Sequence, residues 1–459
     1  MRSSASAANS ASCKADPARD VSEDLTIALQ PLPPAPLVVG FSGGLDSTVL
    51  LHALAALPVA RTQGLRALHV HHSLHADADV WAAYCERICA EFDIPLRVLR
   101  VAVDVGDGGP EAGARAARYA AFRDALLEAE VLALAQHRDD QAETVLLRLL
   151  RGAGGDGLAA MRTHSTRVGL RLWRPLLDTS RDEIRAYADA HALRWIEDPS
   201  NADTRFERNF LRLRVLPRLR ERWPHAAASL ARSAALLAEQ GALLAEEATR
   251  RRATIQTVEP QTLSVSRLME QPRPWRARVL RQWLHDLHLP PPSRTILDAI
   301  ERELLPARAD AEARVGWAGA ELRRWRDLLH AQRTQPPLPQ DFSIAWDGRA
   351  ALQLPDGDAL LLKGAAGFDA PVEIRARQGG ERLRLPGRAH HHSLKHALQQ
   401  HHIPPWQRER LPLLFAPDGE LLAAGDLLLS ARMELWLRER GATLLWLTAS
   451  TPADQMVND

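Results

Sequence analysis

The sequence predicts an α/β protein: a doubly wound parallel sheet, followed by a helical domain and a small α+β domain. Three observations carry this expectation. From Ala35 to about Trp195, short apolar runs alternate with stretches of helical periodicity, the pattern of parallel strands joined by covering helices. After Pro224 the periodicity becomes helical with an Ala/Leu stripe. Beyond a Pro336-Pro337-Leu338-Pro339 linker, short apolar runs are separated by Gly and Pro turns. The expected division is a disordered tail over 1–30, an α/β domain over 31–222, a helical domain over 223–335 and an α+β domain over 336–459.

Leu37 to Phe41 reads as a buried strand, followed by a Gly-rich turn and a helix from Asp46 to Leu57. Leu65 to Val70 and Leu96 to Val103 are strands on either side of a helix from about Asp77 to Phe92. A helix around Ala112 to Ala129, a strand from Val131 to Ala135 and a helix from near Asp139 to Gly152 complete the alternation. In such sheets ligands bind at the carboxyl ends of the strands. Ala226 to Arg252, Pro274 to Leu284, Ser293 to Leu304 and Ala318 to Arg333 carry the helical pattern of the second domain. Ala350 to Lys363 and Val372 to Leu385 read as strands, and helix and strand mix up to about Leu447.

The 459 residues carry 58 Lys+Arg against 57 Asp+Glu, so a nucleic-acid signal must come from local clustering rather than net charge. Lys14, Lys363 and Lys395 are the only lysines. Three cysteines (Cys13, Cys85, Cys89) without a C-x-x-C pair argue against a disulfide framework or a structural zinc. No run approaches the ~18 apolar residues of a membrane span, and the Ser/Ala-rich start lacks the apolar stretch of a secretory signal. The expected location is the cytoplasm.

Ser42-Gly43-Gly44-Leu45-Asp46-Ser47 lies between a strand and a helix. Small residues there let backbone N–H groups approach an anion, and the helix N-terminus adds positive potential. The string lacks the Lys and the glycine spacing of a Walker A loop. It resembles the pyrophosphate loop (PP-loop) of the N-type ATP pyrophosphatases, Rossmann-like enzymes that cleave ATP between the α and β phosphates and transfer AMP to an acceptor.

His69-Val70-His71-His72-Ser73-Leu74-His75 closes the second strand; alternation puts His69 and His71 on one face and His72 on the other, which suits a pocket rim better than a metal. Arg115 and Arg118 lie i,i+3 on one helical face, suited to phosphate oxygens during adenylyl transfer. Gln136-His137-Arg138-Asp139-Asp140-Gln141-Ala142-Glu143 follows a strand and opens a helix, with Asp140 and Glu143 on one face. Acidic residues in a first turn can simply cap the helix, but beside a phosphate loop they can also hold magnesium or a cationic substrate. A flexible loop, Gly152-Ala153-Gly154-Gly155, follows.

Two basic islands stand out. Arg205 to Arg222 holds seven Arg and two Glu, and Glu373 to Arg410 holds eight basic and three acidic residues with six of the eighteen histidines. Together they suggest a polyanion, with Trp406 beside Arg408 and Arg410 placed to stack a base or grip a backbone.

The loop, the string His137 to Gly152, Arg174-Pro175-Leu176-Leu177, Glu197-Asp198-Pro199-Ser200-Asn201 with Arg205-Phe206-Glu207-Arg208-Asn209, and Gly379-Gly380-Glu381-Arg382 with Ile403-Pro404-Pro405-Trp406 resemble the tRNA(Ile)-lysidine synthases over roughly residues 35 to 445. The sequence departs from that family's pattern at His71, Ser73, His75 and Gln136. The resemblance implies adenylation of the wobble cytidine of a CAU-anticodon tRNA(Ile) at C2, then displacement of AMP by free L-lysine. It implies ATP held by Ser42, Gly43, Gly44, Leu45, Asp46, Ser47, His69 and His137, and Asp46, Arg115, Asp140 and Glu143 as catalytic. Mg2+ would sit on Asp46 and Asp140, and tRNA on Arg205, Arg208, Asn209, Arg212, Arg382, Lys395, Trp406, Arg408 and Arg410; homodimerisation stays open. The rivals are a tRNA thiolase of the same fold, which needs reactive cysteines, an amidotransferase, which needs a Cys after Met1, and a non-catalytic RNA-binding protein, which leaves the phosphate loop without a purpose.

Overall fold

A computed structural model describes residues 23–448 apart from 24, 31, 73–74, 104–108, 168, 309–310, 312 and 389. Cys13, Ser73 and most of the expected tail lie outside the described residues. Leu25 and Leu29, expected in that tail, are instead buried against the first core, at a spacing that places both on one side of a helical turn. The chain forms two compact units, Met1–Leu244 and Ala245–Asp459. The division falls inside one long helix, Ala226–Ile255. Residues 245–459 take in most of the segments expected as the helical and α+β domains. No helix among the described residues is long and apolar enough to cross a membrane.

The first unit alternates β1 (Leu37–Gly40), α1 (Leu45–Ala55), β2 (Leu65–His71), α2 (Ala78–Glu91), β3 (Leu96–Arg100), α3 (Gly109–Ala125), β4 (Val131–Ala133) and α4 (Arg138–Leu150). A hairpin of β5 (His164–Arg167) and β6 (Leu170–Trp173) and a helix α5 (Arg181–Ala190) follow. The sheet order is β3-β2-β1-β4-β6-β5, parallel except for the antiparallel edge strand β5. Leu37 pairs with Leu65 on one side and Val131 on the other, so β1 is the central strand where the order reverses. Its side chains alternate between two cores: Leu37 and Val39 pack on one face, Val38 with Leu68 and Leu132 on the other. Helices on both faces thus follow from strands apolar on both faces. The crevice above the carboxyl end of β1 is where the loop of residues 41–44 lies.

In the second unit, β7 (Thr262–Ser264), β8 (Arg314–Trp317), β9 (Ala320–Trp325) and β10 (Leu328–Arg333) form a sheet ordered β7-β10-β9-β8. Residues 318–333, expected to be helical, are therefore a β-hairpin. Ala, Leu and Arg favour helix, but two-residue turns at Ala318-Gly319 and Arg326-Asp327, with positive φ at Ala318, Gly319 and Arg326, fold the segment back. Leu322 and Leu329 then bury against Trp283 and Ile300. A second core lies among antiparallel strands that include Ser343–Trp346, Val372–Arg375, Leu413–Phe415 and Leu421–Ala424.

Candidate active site

The loop after β1 is built around two serines. Ser42 and Ser47 hydroxyls are 3.0 Å apart, the Ser42 N–H donates to Ser47 Oγ at 3.2 Å, and Ser47 Oγ donates to the Gly44 carbonyl at 3.1 Å. Gly44 caps α1 with no side-chain bond, so the first-turn N–H groups keep their donors for an anion. Gly43 has φ +79°, and a Cβ there would lie 2.8 Å from Ile196 and 2.9 Å from the Cys85 sulfur. Only glycine fits. The Ile196 N–H donates to the Gly43 carbonyl at 2.8 Å, so the chain leading into Glu197-Asp198-Pro199 backs the loop. His69 does the same from β2, with Nδ1 2.9 Å from the Phe41 carbonyl. That carbonyl makes Nδ1 the protonated nitrogen of His69, and burial pushes the ring's pKa down.

His137 caps α4. Its Nδ1 accepts the Asp139 N–H at 3.2 Å while Asp140 Oδ2 accepts the His137 N–H at 3.2 Å, a reciprocal capping box. With Nδ1 accepting, the neutral ring carries its proton on Nε2, which lies 3.7 Å from Asp46 Oδ1 and 3.5 Å from Asp140 Oδ2. The structure thus brings the phosphate-loop carboxylate and the helix-start carboxylate onto one imidazole. Burial works against charge on Asp46, but His137, Arg181 and Arg212 hold its carboxyl below the usual range. Asp46 Oδ1 is buried without a hydrogen-bond partner. An ionised, buried and unsatisfied oxygen beside an anion cradle fits a cation, since Mg2+ typically takes one or two carboxylates plus phosphate oxygens.

Arg212, expected on tRNA, instead lies on the two candidate carboxylates. Its Nε donates to Glu143 Oε1 at 2.7 Å, and its terminal nitrogen to Glu143 Oε2 at 3.1 Å and to Asp140 Oδ1 at 2.9 Å. Glu143 is fully buried; burial pushes its carboxyl up while the guanidinium pulls it down. Arg212 rides on a π-helical turn, Leu211–Val215, a local widening frequent at functional sites. Asp139 serves the scaffold: it accepts from the Arg181 N–H at 2.9 Å and from the Arg220 guanidinium.

A cavity of about 590 Å³ opens beside these groups, lined by His69, His72, His75, Trp81, Arg118, Arg208 and Arg212 among others. Arg118 reaches it and Arg115 does not line it; the Arg115 guanidinium lies 5.8 Å from the Tyr119 ring centre. His71 is turned to Asp79, at 3.2 Å. Asn209 ties its own loop, donating to the Ser200 and Asp203 carbonyls at 2.8 and 3.0 Å. Arg174, singled out in the sequence only as part of a resembling string and given no role, is buried and donates to Gln136 Oε1 at 2.7 Å and Ser165 Oγ at 2.8 Å. Its position next to Pro175 gave no sign of that partner, 38 residues away.

The remaining basic residues divide. Arg205, Arg382 and Lys395 are exposed. Trp406 is only 6% exposed and stacks face to face on His330 at 4.4 Å, so its ring is not open to a base. Arg410 is half-buried and ion-paired to Asp358 at 2.6 Å and Asp356 at 3.4 Å, and Arg408 donates to the Ile403 carbonyl at 2.6 Å. Both were expected on tRNA; their guanidinium bonds instead hold the second unit together. Among the described residues no group of three His, Cys, Asp or Glu could hold a metal by itself.

Family models match the chain in three places: a PP-loop domain at residues 17–219, a TilS substrate binding domain at 263–330 and a TilS substrate C-terminal domain at 372–446. The tRNA(Ile)-lysidine synthase of Xanthomonas campestris is 50% identical over 421 residues, covering 91% of this chain and 96% of that protein. That of Xylella fastidiosa is 50% identical over 424 residues, with the same coverage of 91% and 96%. That of Edwardsiella ictaluri is 43% identical over 404 residues, covering 85% and 90%. With half its residues shared across nearly the full length of such relatives, and a phosphate loop that faces a carboxylate-bearing helix start, the chain belongs to the tRNA(Ile)-lysidine synthase family.

Proposed function

We propose that the chain is an ATP-dependent ligase that joins free L-lysine to C2 of the wobble cytidine of a CAU-anticodon tRNA(Ile), through an adenylated tRNA, with release of AMP and pyrophosphate. The observation that carries this reading is the meeting of Asp46 and Asp140 on His137 Nε2, 3.7 and 3.5 Å away, beside the uncapped N-terminus of α1. The N–H groups of the loop and first turn receive the phosphates of ATP. Asp46, and Asp140 across the imidazole, would hold Mg2+, which neutralises phosphate charge when bound. Asp140 also offers an anion to the lysine ammonium, while Arg212 keeps Glu143 paired. Arg208 supplies a cation for phosphate groups in the cavity.

The thiolase reading has less support. Cys85 and Cys89 are buried, and burial pushes both thiols up to about 12, which leaves negligible thiolate at neutral pH. Release of AMP and pyrophosphate that requires tRNA and continues to turn over only with lysine supports the ligase. Turnover with a sulfur donor in place of lysine would replace it with the thiolase.

A further inference from the structure

The outer part of the cavity contains an arrangement that the phosphate loop and its carboxylates do not use. The His75 and Trp81 rings stack with centres 4.7 Å apart and planes 16° from parallel. The Asp77 N–H donates to His75 Nδ1 at 3.1 Å, the Asp77 carboxylate lies 3.5 Å from the same nitrogen, and the His75 side chain is 40% exposed. Trp81 lies on α2 one turn before Cys85, whose sulfur backs Gly43. The stack therefore stands about 6 Å along the helix axis from the residue that supports the phosphate loop.

Beside it, the Arg118 guanidinium donates to His72 Nε2 at 3.3 and 3.4 Å. With Nε2 accepting, the His72 proton sits on Nδ1, and that atom is buried without a hydrogen-bond partner. Burial and the neighbouring guanidinium push the His72 pKa down to about 4, so the ring is a neutral donor at pH 7. All four residues line the same cavity. A flat aromatic wall, a guanidinium and an unsatisfied N–H together match a heteroaromatic ring with acceptors on its edge.

We propose that His75 and Trp81, with Arg118 and His72 at the edge, form a nucleobase subsite of the candidate active site. One ring of the reactants stacks there: the adenine of ATP or the unstacked base of the RNA. The inference rests on the reading that this cavity processes both, and it adds the residues that would position the ring.

Affinities measured by calorimetry test it, with ATP and an in-vitro transcribed CAU-anticodon stem-loop as probes, on the full chain and its Trp81→Ala, Trp81→Phe and His75→Ala variants. Stacking predicts that Trp81→Ala and His75→Ala each weaken one of the two ligands roughly tenfold, while Trp81→Phe largely retains it. Loss confined to the stem-loop assigns the subsite to the RNA base; loss confined to ATP assigns it to adenine. Unchanged affinity for both ligands in the two alanine variants overturns the proposal, as does a Trp81→Phe variant as weak as Trp81→Ala. The exposed His75 carries the test if Trp81→Ala fails to fold. A chain that binds both probes but transfers no lysine would defeat the functional reading alone, since the subsite is judged on affinities.

Discussion

Asp46 and Glu143 are both acidic and both close to Arg212 or His137, yet they stand in opposite situations. Asp46 keeps a buried oxygen without a hydrogen-bond partner, whereas Glu143 is fully buried and bound bidentately by Arg212. Asp46→Asn should therefore lower tRNA-dependent pyrophosphate release by roughly a hundredfold or more; near-normal release would contradict the assignment. Asp140→Asn should raise KM for lysine, and a change confined to ATP binding would refute Asp140 as the ammonium's partner. Arg212→Gln leaves a buried carboxylate uncompensated and should cost about 3 kcal/mol in urea unfolding, with part of the loss restored by adding Glu143→Gln. A loss no larger than that of a surface substitution would show that the Arg212 pair is unimportant to the fold.

Elements were legible in the sequence where their information is local. Each strand–turn–helix step from Leu37 to Leu150 is a contiguous segment with its own periodicity, and the phosphate loop is one unbroken string. The partners of α4 were not legible: Arg212 is 69 residues from Glu143, and only the fold brings them together. The hairpin β9–β10 was misread because its Ala, Leu and Arg favour helix, and the decisive signal was two short turns. Trp406 and Arg410 suggested RNA by composition, while burial, a tertiary property, gives them other partners.

The His330–Trp406 stack fastens β10 to the helical turn Pro405–Arg408, and it has a testable pH dependence. Burial pushes His330 down to about 4, from 6.5. The unfolded chain takes up this proton below pH 6.5 and the folded chain does not, so the group's contribution is full above that pH and fades as pH falls toward 4. His330→Phe keeps a ring for Trp406 without titrating. It should lessen the acid loss of stability by up to roughly 3 kcal/mol in urea unfolding between pH 7 and 4. An equally steep acid loss in the variant would contradict this.

At the scale of the whole molecule, a chain of net charge +1 is proposed to bind a polyanion, so a few exposed cations must carry the electrostatics. Arg382→Ala and Lys395→Ala should each reduce the slope of log affinity against log salt for tRNA by about one, whereas Arg410→Ala should lower stability instead. Filter binding over a salt series checks this; equal slopes in all variants would place the RNA elsewhere. The proposed reaction transfers lysine to one base. Incubating the protein with ATP, magnesium, labelled lysine and transcribed CAU-anticodon tRNA(Ile) tests it most directly. Label should appear in the tRNA and disappear when the wobble cytidine is replaced. Label that survives the replacement, or tRNA-dependent AMP release with no label at all, would contradict it.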